Sequence, residues 1–183
     1  MKGIVFTELV NFVERHTSMP VAEAIISEAG LDNDGAFTSV GNYPHSEAIK
    51  LVMSASESLD TPPADLMRQF GNELFARLLD THPQVLGEES SDAFEFLAKV
   101  QSHIHVEVAK LYTDSSPPEI RTTQQDGKMI VSYSSHRPFA MIAMGLVEGC
   151  CAHFDDTLVV ELHGDPDEAS TSATFSVTKK SNG

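Results

Sequence analysis

The chain reads as an α+β domain, mainly helical over its N-terminal two thirds, with a C-terminal antiparallel sheet and one buried helix. Three observations predict this. Apolar residues recur at three- and four-residue spacing from the start of the chain to about Tyr112, the mark of amphipathic helices. The period then drops to two, as in Met129-Ile130-Val131-Ser132-Tyr133. Between two such alternating runs lies a long apolar segment, Pro138 to Phe154.

Taken in order, residues 2–16 put Val5, Leu9, Val10 and Val13 on the apolar side of a first helix, against Glu8, Glu14 and Arg15. A second helix is expected from near Pro20, which suits a first turn, to Ala29-Gly30, where glycine suits a left-handed cap. Leu31 to Pro44 carries Asp, Asn, Gly and Pro and reads as loop. A third helix, Ser46 to Leu59, has Ile49, Leu51, Val52 and Met53 as its apolar content. Thr61-Pro62-Pro63 restarts the chain into Ala64–Leu79, with Leu66, Phe70, Leu74, Phe75 and Leu78 at helical spacing. Gly71 inside that helix costs ~1 kcal/mol relative to alanine, a cost that a close backbone approach would explain. Glu88 to Asp92 leads in to a helix over Phe94–Tyr112, with Ser90 or Ser91 as its cap and an end before Ser115-Ser116-Pro117-Pro118. Met129–Ser135, Thr157–His163 and Ala173–Lys179 read as strands, Gly164–Ser172 as a polar connection, and residues 181–183 as a frayed end. No internal repeat or low-complexity tract occurs.

With 183 residues, 41% of them hydrophobic, the chain can bury one sizeable core, and a single domain over residues 1–183 is expected. A net charge of −15 and a pI near 4.7 argue against nucleic-acid and anionic-membrane binding, both of which need attraction to phosphates. Ile4-Val5-Phe6 is too short for a signal-peptide core, and no stretch approaches a membrane span. The two cysteines, Cys150 and Cys151, are adjacent, unsuited to bridging each other, and fit a reducing compartment; a cytoplasmic location is expected. Lying on an almost wholly apolar helix, they read as buried and inert. No nucleophile–base–acid constellation or phosphate loop appears, so the chain is not expected to be an enzyme.

Two features carry chemistry. On a uniform helix over Phe94–Tyr112, His105 shares its direction with Phe94, Ala98 and Tyr112, an apolar face, whereas His103 falls among Lys99, Glu107 and Lys110. A lone histidine on an apolar face is more often a core residue than a ligand. The second feature is Tyr133-Ser134-Ser135-His136-Arg137: on a strand, Tyr133, Ser135 and Arg137 project to one side. A phenol, a hydroxyl and a guanidinium together make a donor array for a carboxylate or phosphate; alone, such a strand end is more often an exposed edge.

Together the two features fit haem, and Tyr133-x-Ser135-x-Arg137 resembles the Y-x-S-x-R propionate-binding motif of the H-NOX family, the haem nitric oxide/oxygen binding domains related to the sensor domain of soluble guanylate cyclase. His105 stands where that family keeps its proximal ligand. Met1-Lys2-Gly3-Ile4-Val5-Phe6 and Gly145-Leu146-Val147-Glu148-Gly149 also resemble family members, and the match covers nearly the whole chain. The resemblance implies a distal helical part, residues 1–60, and a proximal part, residues 61–183, with non-covalent haem b between helices and sheet; no C-x-x-C-H is present for thioether attachment. It implies His105 as metal ligand, Pro118 against the porphyrin, and Val5, Leu9, Leu74, Leu78, Ile142 and Leu146 on the distal side. The oxygen-binding branch of the family has a tyrosine five positions beyond the arginine, where this chain has Ile142. A ferrous sensor of nitric oxide, also taking carbon monoxide and excluding dioxygen, is therefore expected. It would signal by release of His105 to a separate histidine kinase or cyclic-di-GMP enzyme, since no output domain follows residue 183. The alternatives are an acidic interaction domain of the same fold without haem, and an oxygen-binding haem protein.

Overall fold

The computed structural model describes residues 1–81, 90–106, 116–154 and 157–180. Among them are α1 (Gly3–His16), α2 (Met19–Glu28), α3 (His45–Leu59), α4 (Pro63–Thr81), α5 (Ala93–Lys99), a π-helical turn (Val100–Ile104), α6 (Ala140–Phe154), and strands β1 (Glu119–Gln125), β2 (Lys128–Ser134), β3 (Leu158–His163) and β4 (Ser172–Lys179). The α+β arrangement is as the sequence predicts. Pro20 lies in the first turn of α2, and Gly30 follows it at φ 61. The inward face of α1 is Phe6, Leu9, Phe12 and Val13, with the carboxylate of buried Glu8 meeting Arg77 Nε of α4 at 3.2 Å.

Packing between α4 and α6 explains Gly71. A Cβ on Gly71 would stand 2.2 Å from the Ile142 carbonyl oxygen, one on Gly145 2.0 Å from that of Arg68, and one on Gly149 2.6 Å from that of Asn72. The two helices touch backbone to backbone, so the helix propensity lost at these glycines is offset by contact over their length. Arg68 then forks onto the Glu148 carboxylate, Nε at 2.8 Å, across the outer edge of the pair.

The four strands form an antiparallel sheet in the order β1-β2-β4-β3. Along β2 burial alternates, with Met129, Val131 and Tyr133 inward, and Val131 and Met129 are paired with Phe175 and Val177 of β4. β1 was not anticipated: Glu119–Gln125 has only Ile120 as an apolar residue, and its burial alternates weakly, with Ile120 and Thr122 half-buried between exposed neighbours, because it is an exposed edge strand. Its sequence signal is the turn. Asp126-Gly127, at φ 52 and 74, is the two-residue hairpin pair whose positive φ values match the twist of the flanking strands.

The ligand-bearing helix also departs from expectation. Its cap is Asp92, which accepts from the Glu95 N–H at 2.8 Å, rather than Ser90 or Ser91; Ser91 N–H and hydroxyl instead donate to the Glu95 carboxylate at 2.9 and 2.8 Å. Regular α-helix ends at Lys99, and the His105 N–H bonds to the Val100 carbonyl, closing a π turn. The buried face of α5 is Ala93, Phe96 and Leu97, while Ala98 is exposed, so the uniform wheel that grouped His105 with Phe94 and Ala98 fails. A π turn holds one more residue than an α turn and shifts everything after it. Glu88, Tyr112 and the expected end of this helix lie outside the described residues.

Candidate functional site

A cavity of about 360 Å³ lies between the α4–α6 pair, the π turn and the inner face of the sheet. His105 lines it from the end of the π turn, Tyr133, Ser135 and Arg137 from the end of β2, and Pro118 and Ile120 from the start of β1. Leu74 and Leu78 of α4 and Ile142 and Leu146 of α6 supply aliphatic lining, and Met1, Ile4 and Val5 reach it from the N-terminal part. Leu9 does not line it. At 3% exposure it lies with Phe6, Phe12 and Val13 in the helical core, one turn beyond Val5 on the same side of α1, where the helix has passed the cavity.

His105 is half-buried, and desolvation holds its imidazole below the ordinary value of 6.5, opposed by the hydrogen bond that the ring donates to the Pro118 backbone carbonyl. The ring is thus kept neutral, the form that can ligate a metal. Its Nδ1 is 3.4 Å from Gln101 Oε1, which also accepts from the Ile120 N–H at 2.8 Å.

At the other end of the lining the geometry is not simple strand alternation. β2 ends at Ser134; the Ser135 N–H donates to the Thr171 carbonyl at 2.9 Å, and the Ser135 hydroxyl accepts from the Arg137 N–H at 3.1 Å. This serine turn swings Arg137 back beside Tyr133. Arg137 Nη1 donates to the Ser116 carbonyl at 2.9 Å, tying the rim to the chain entering β1. Burial pushes the Tyr133 phenol up, against the opposing effects of the Ser135 hydroxyl and the Arg137 charge, so it stays a donor at neutral pH. His45 at the same edge is held low by burial first and then by the positive charges of Arg137, His136 and the N-terminus. The mouth is electropositive although the chain is strongly acidic.

Among the lining residues that were not anticipated, two sets are informative. Phe96, Val100 and Ile104 recur every fourth residue, a row legible in the sequence, but a uniform wheel turns Phe96 away from His105, and the π turn between them brings both to the cavity. Cys150, buried as predicted, also borders the cavity, and burial followed by the neighbouring Cys151 pushes its thiol far up, which keeps it unreactive.

A neutral imidazole, a phenol–hydroxyl–guanidinium rim and a lining that is otherwise apolar save for Lys2 fit a flat apolar macrocycle that carries a metal and two carboxylates. The family model described as haem-NO-binding matches residues 2–162. An unliganded Fe(II) H-NOX protein from K. algicida superposes at TM-score 0.88 with 30% identity, covering 100% of this chain and 98% of that one. An H-NOX from Shewanella woodyi in the Fe(II)CO state gives 0.80 with 34% identity, covering 100% and 96%. An S. oneidensis H-NOX in the Fe(II)NO state gives 0.85 with 26% identity, covering 98% and 99%. By its sequence, its fold and the shape of this cavity, the chain belongs to the haem-NO-binding, or H-NOX, family of haem-based gas sensors.

Proposed function

We propose that this protein senses nitric oxide through ferrous haem b, binds carbon monoxide as well, and does not hold dioxygen. The observation that carries the reading is the division of one cavity into a histidine side, a cationic rim and a side where Leu74, Leu78, Ile142 and Leu146 are aliphatic. When bound, haem would supply a ferrous iron that His105 would hold and that could take up a diatomic gas. His105, neutral and held between Gln101 and Pro118, presents a ring nitrogen to the metal. Arg137, Tyr133 and Ser135 donate to the propionates, and Pro118 packs on the macrocycle. Val5, Leu74, Leu78, Ile142 and Leu146 offer no hydrogen-bond donor toward the gas. Dioxygen needs such a donor far more than nitric oxide or carbon monoxide does, and one missing bond costs ~1 to 3 kcal/mol, about one to two decades of affinity.

The signal then leaves through His105. Were His105 released, the π turn that carries it would be free to repack, a two-state element of the kind a switch requires. Residues 1–60 act as the distal part and residues 61–183 as the proximal part of that switch. The receiver is a separate histidine kinase or cyclic-di-GMP enzyme in the cytoplasm; among the described residues no helix is long and apolar enough to cross a membrane. The protein itself is not an enzyme.

The test is the absorption spectrum of protein purified from haem-supplied cells. A ferrous Soret band that is unchanged by air and shifts with nitric oxide is the expected result. A stable oxy spectrum overturns the selectivity, and a colourless folded protein overturns the haem reading.

A further inference from the structure

We infer that Gln101 is a positioning residue: its side-chain oxygen aims the His105 ring and ties that ring to the edge strand β1, and so to the rim. The inference builds on the haem-binding reading above but stands on separate contacts. Gln101 Oε1 accepts from the outward Ile120 N–H at 2.8 Å and lies 3.4 Å from His105 Nδ1. Ile120 is paired with Tyr133 across the β1–β2 ladder, and both line the cavity, so one amide oxygen bridges the histidine's segment and the strand pair that carries the rim.

Chemistry makes this oxygen more than a strut. A ring whose Nε2 ligates a metal carries its proton on Nδ1, and an acceptor facing that proton fixes the ring's rotation and raises its basicity. Gln101 is the second residue of the π turn and His105 the residue that closes it, so the turn itself sets the two side chains four positions apart on adjoining rungs. The edge strand contributes as well. β1 pairs on one side only, leaving alternate amides pointing away from the sheet, and Gln101 satisfies the one nearest the cavity. Because Gln101 is exposed, replacing it leaves no buried hole and should not cost the fold.

The experiment compares the wild-type chain with Gln101→Leu, which removes the acceptor, and Gln101→Glu, which keeps it and adds charge. In the haem-loaded ferrous protein, resonance Raman should show the iron–histidine stretch lowered in Gln101→Leu and raised in Gln101→Glu. In the haem-free chain, hydrogen exchange at the Ile120 amide should be roughly fivefold faster in Gln101→Leu and near wild type in Gln101→Glu, the size expected for one lost hydrogen bond. An unchanged stretch in Gln101→Leu overturns the inference. So does unchanged Ile120 exchange. If the chain takes up no haem, the missing Soret band marks failure of the haem reading. The Ile120 exchange and the His105 ring-nitrogen shifts of the haem-free chain then decide Gln101 on their own.

Discussion

The two sides of the cavity are built on different physical terms. The α4–α6 side is clasped through Gly71, Gly145 and Gly149, so its aliphatic lining hangs from two backbones in direct contact. On the histidine side there are seven residues of α-helix and a π turn, joined to an edge strand through the Gln101 oxygen and the His105–Pro118 hydrogen bond. Close-packed backbone has few alternative arrangements. A short helix joined by a few hydrogen bonds, each worth ~1 kcal/mol net, is drawn from the low-stability end of a structure, where moving elements are found. On the proposed function the contrast would have a use: the side proposed to discriminate between ligands stays fixed, and the side proposed to report binding can let go.

The contrast can be broken first at its histidine. His105→Gly should lose nearly all bound haem, with the Soret band restored by free imidazole; a normal five-coordinate ferrous spectrum in that variant without imidazole would remove His105 from its role. On the other side, Gly145→Ala drives a Cβ to 2.0 Å from a backbone oxygen and should lower stability by ~3 kcal/mol, read as a shift in the urea midpoint. Wild-type stability there would show that the helix pair is not clasped. Ile142→Tyr adds one donor to the aliphatic lining and should tighten dioxygen binding by roughly one to two decades, measured by air titration of the ferrous protein; no gain would mean that the side chain does not reach the bound gas. The smallest effect is expected at the start of α5. Lys99, with Ser91, holds the Glu95 carboxyl down at about 2 against its ordinary 4.5. A depressed carboxyl stabilises the fold fully above its unfolded value, so this contribution should fade as pH falls from 4.5 toward 2. Circular dichroism of Glu95→Gln should lack that acid step.

Much of the molecule was legible residue by residue. Pro20 and Gly30 marked the ends of α2, the alternation from Met129 to Tyr133 marked the inward face of β2, and Gly71 announced a close approach. β1 was not visible because an edge strand buries little and needs no apolar period, although Asp126-Gly127 carried its hairpin signal. The helix wheel over Phe94–Tyr112 failed for another reason: periodicity assumes one pitch throughout, and the pitch changes at Val100.

By itself, the sequence determined the pieces whose signals are local: most of the helices, the ends of α2, the inward strand face, and the residue types that can hold a metal and its acids. Only the tertiary structure decided which of those residues meet. Leu9 went to the core and Val5 to the cavity, Ser135 turned Arg137 back beside Tyr133, and Gln101 found both His105 and Ile120. The meeting of Gln101 with Ile120 depends on the packing of elements far apart along the chain, and the serine turn and the π turn are local departures from regular geometry that no uniform period encodes.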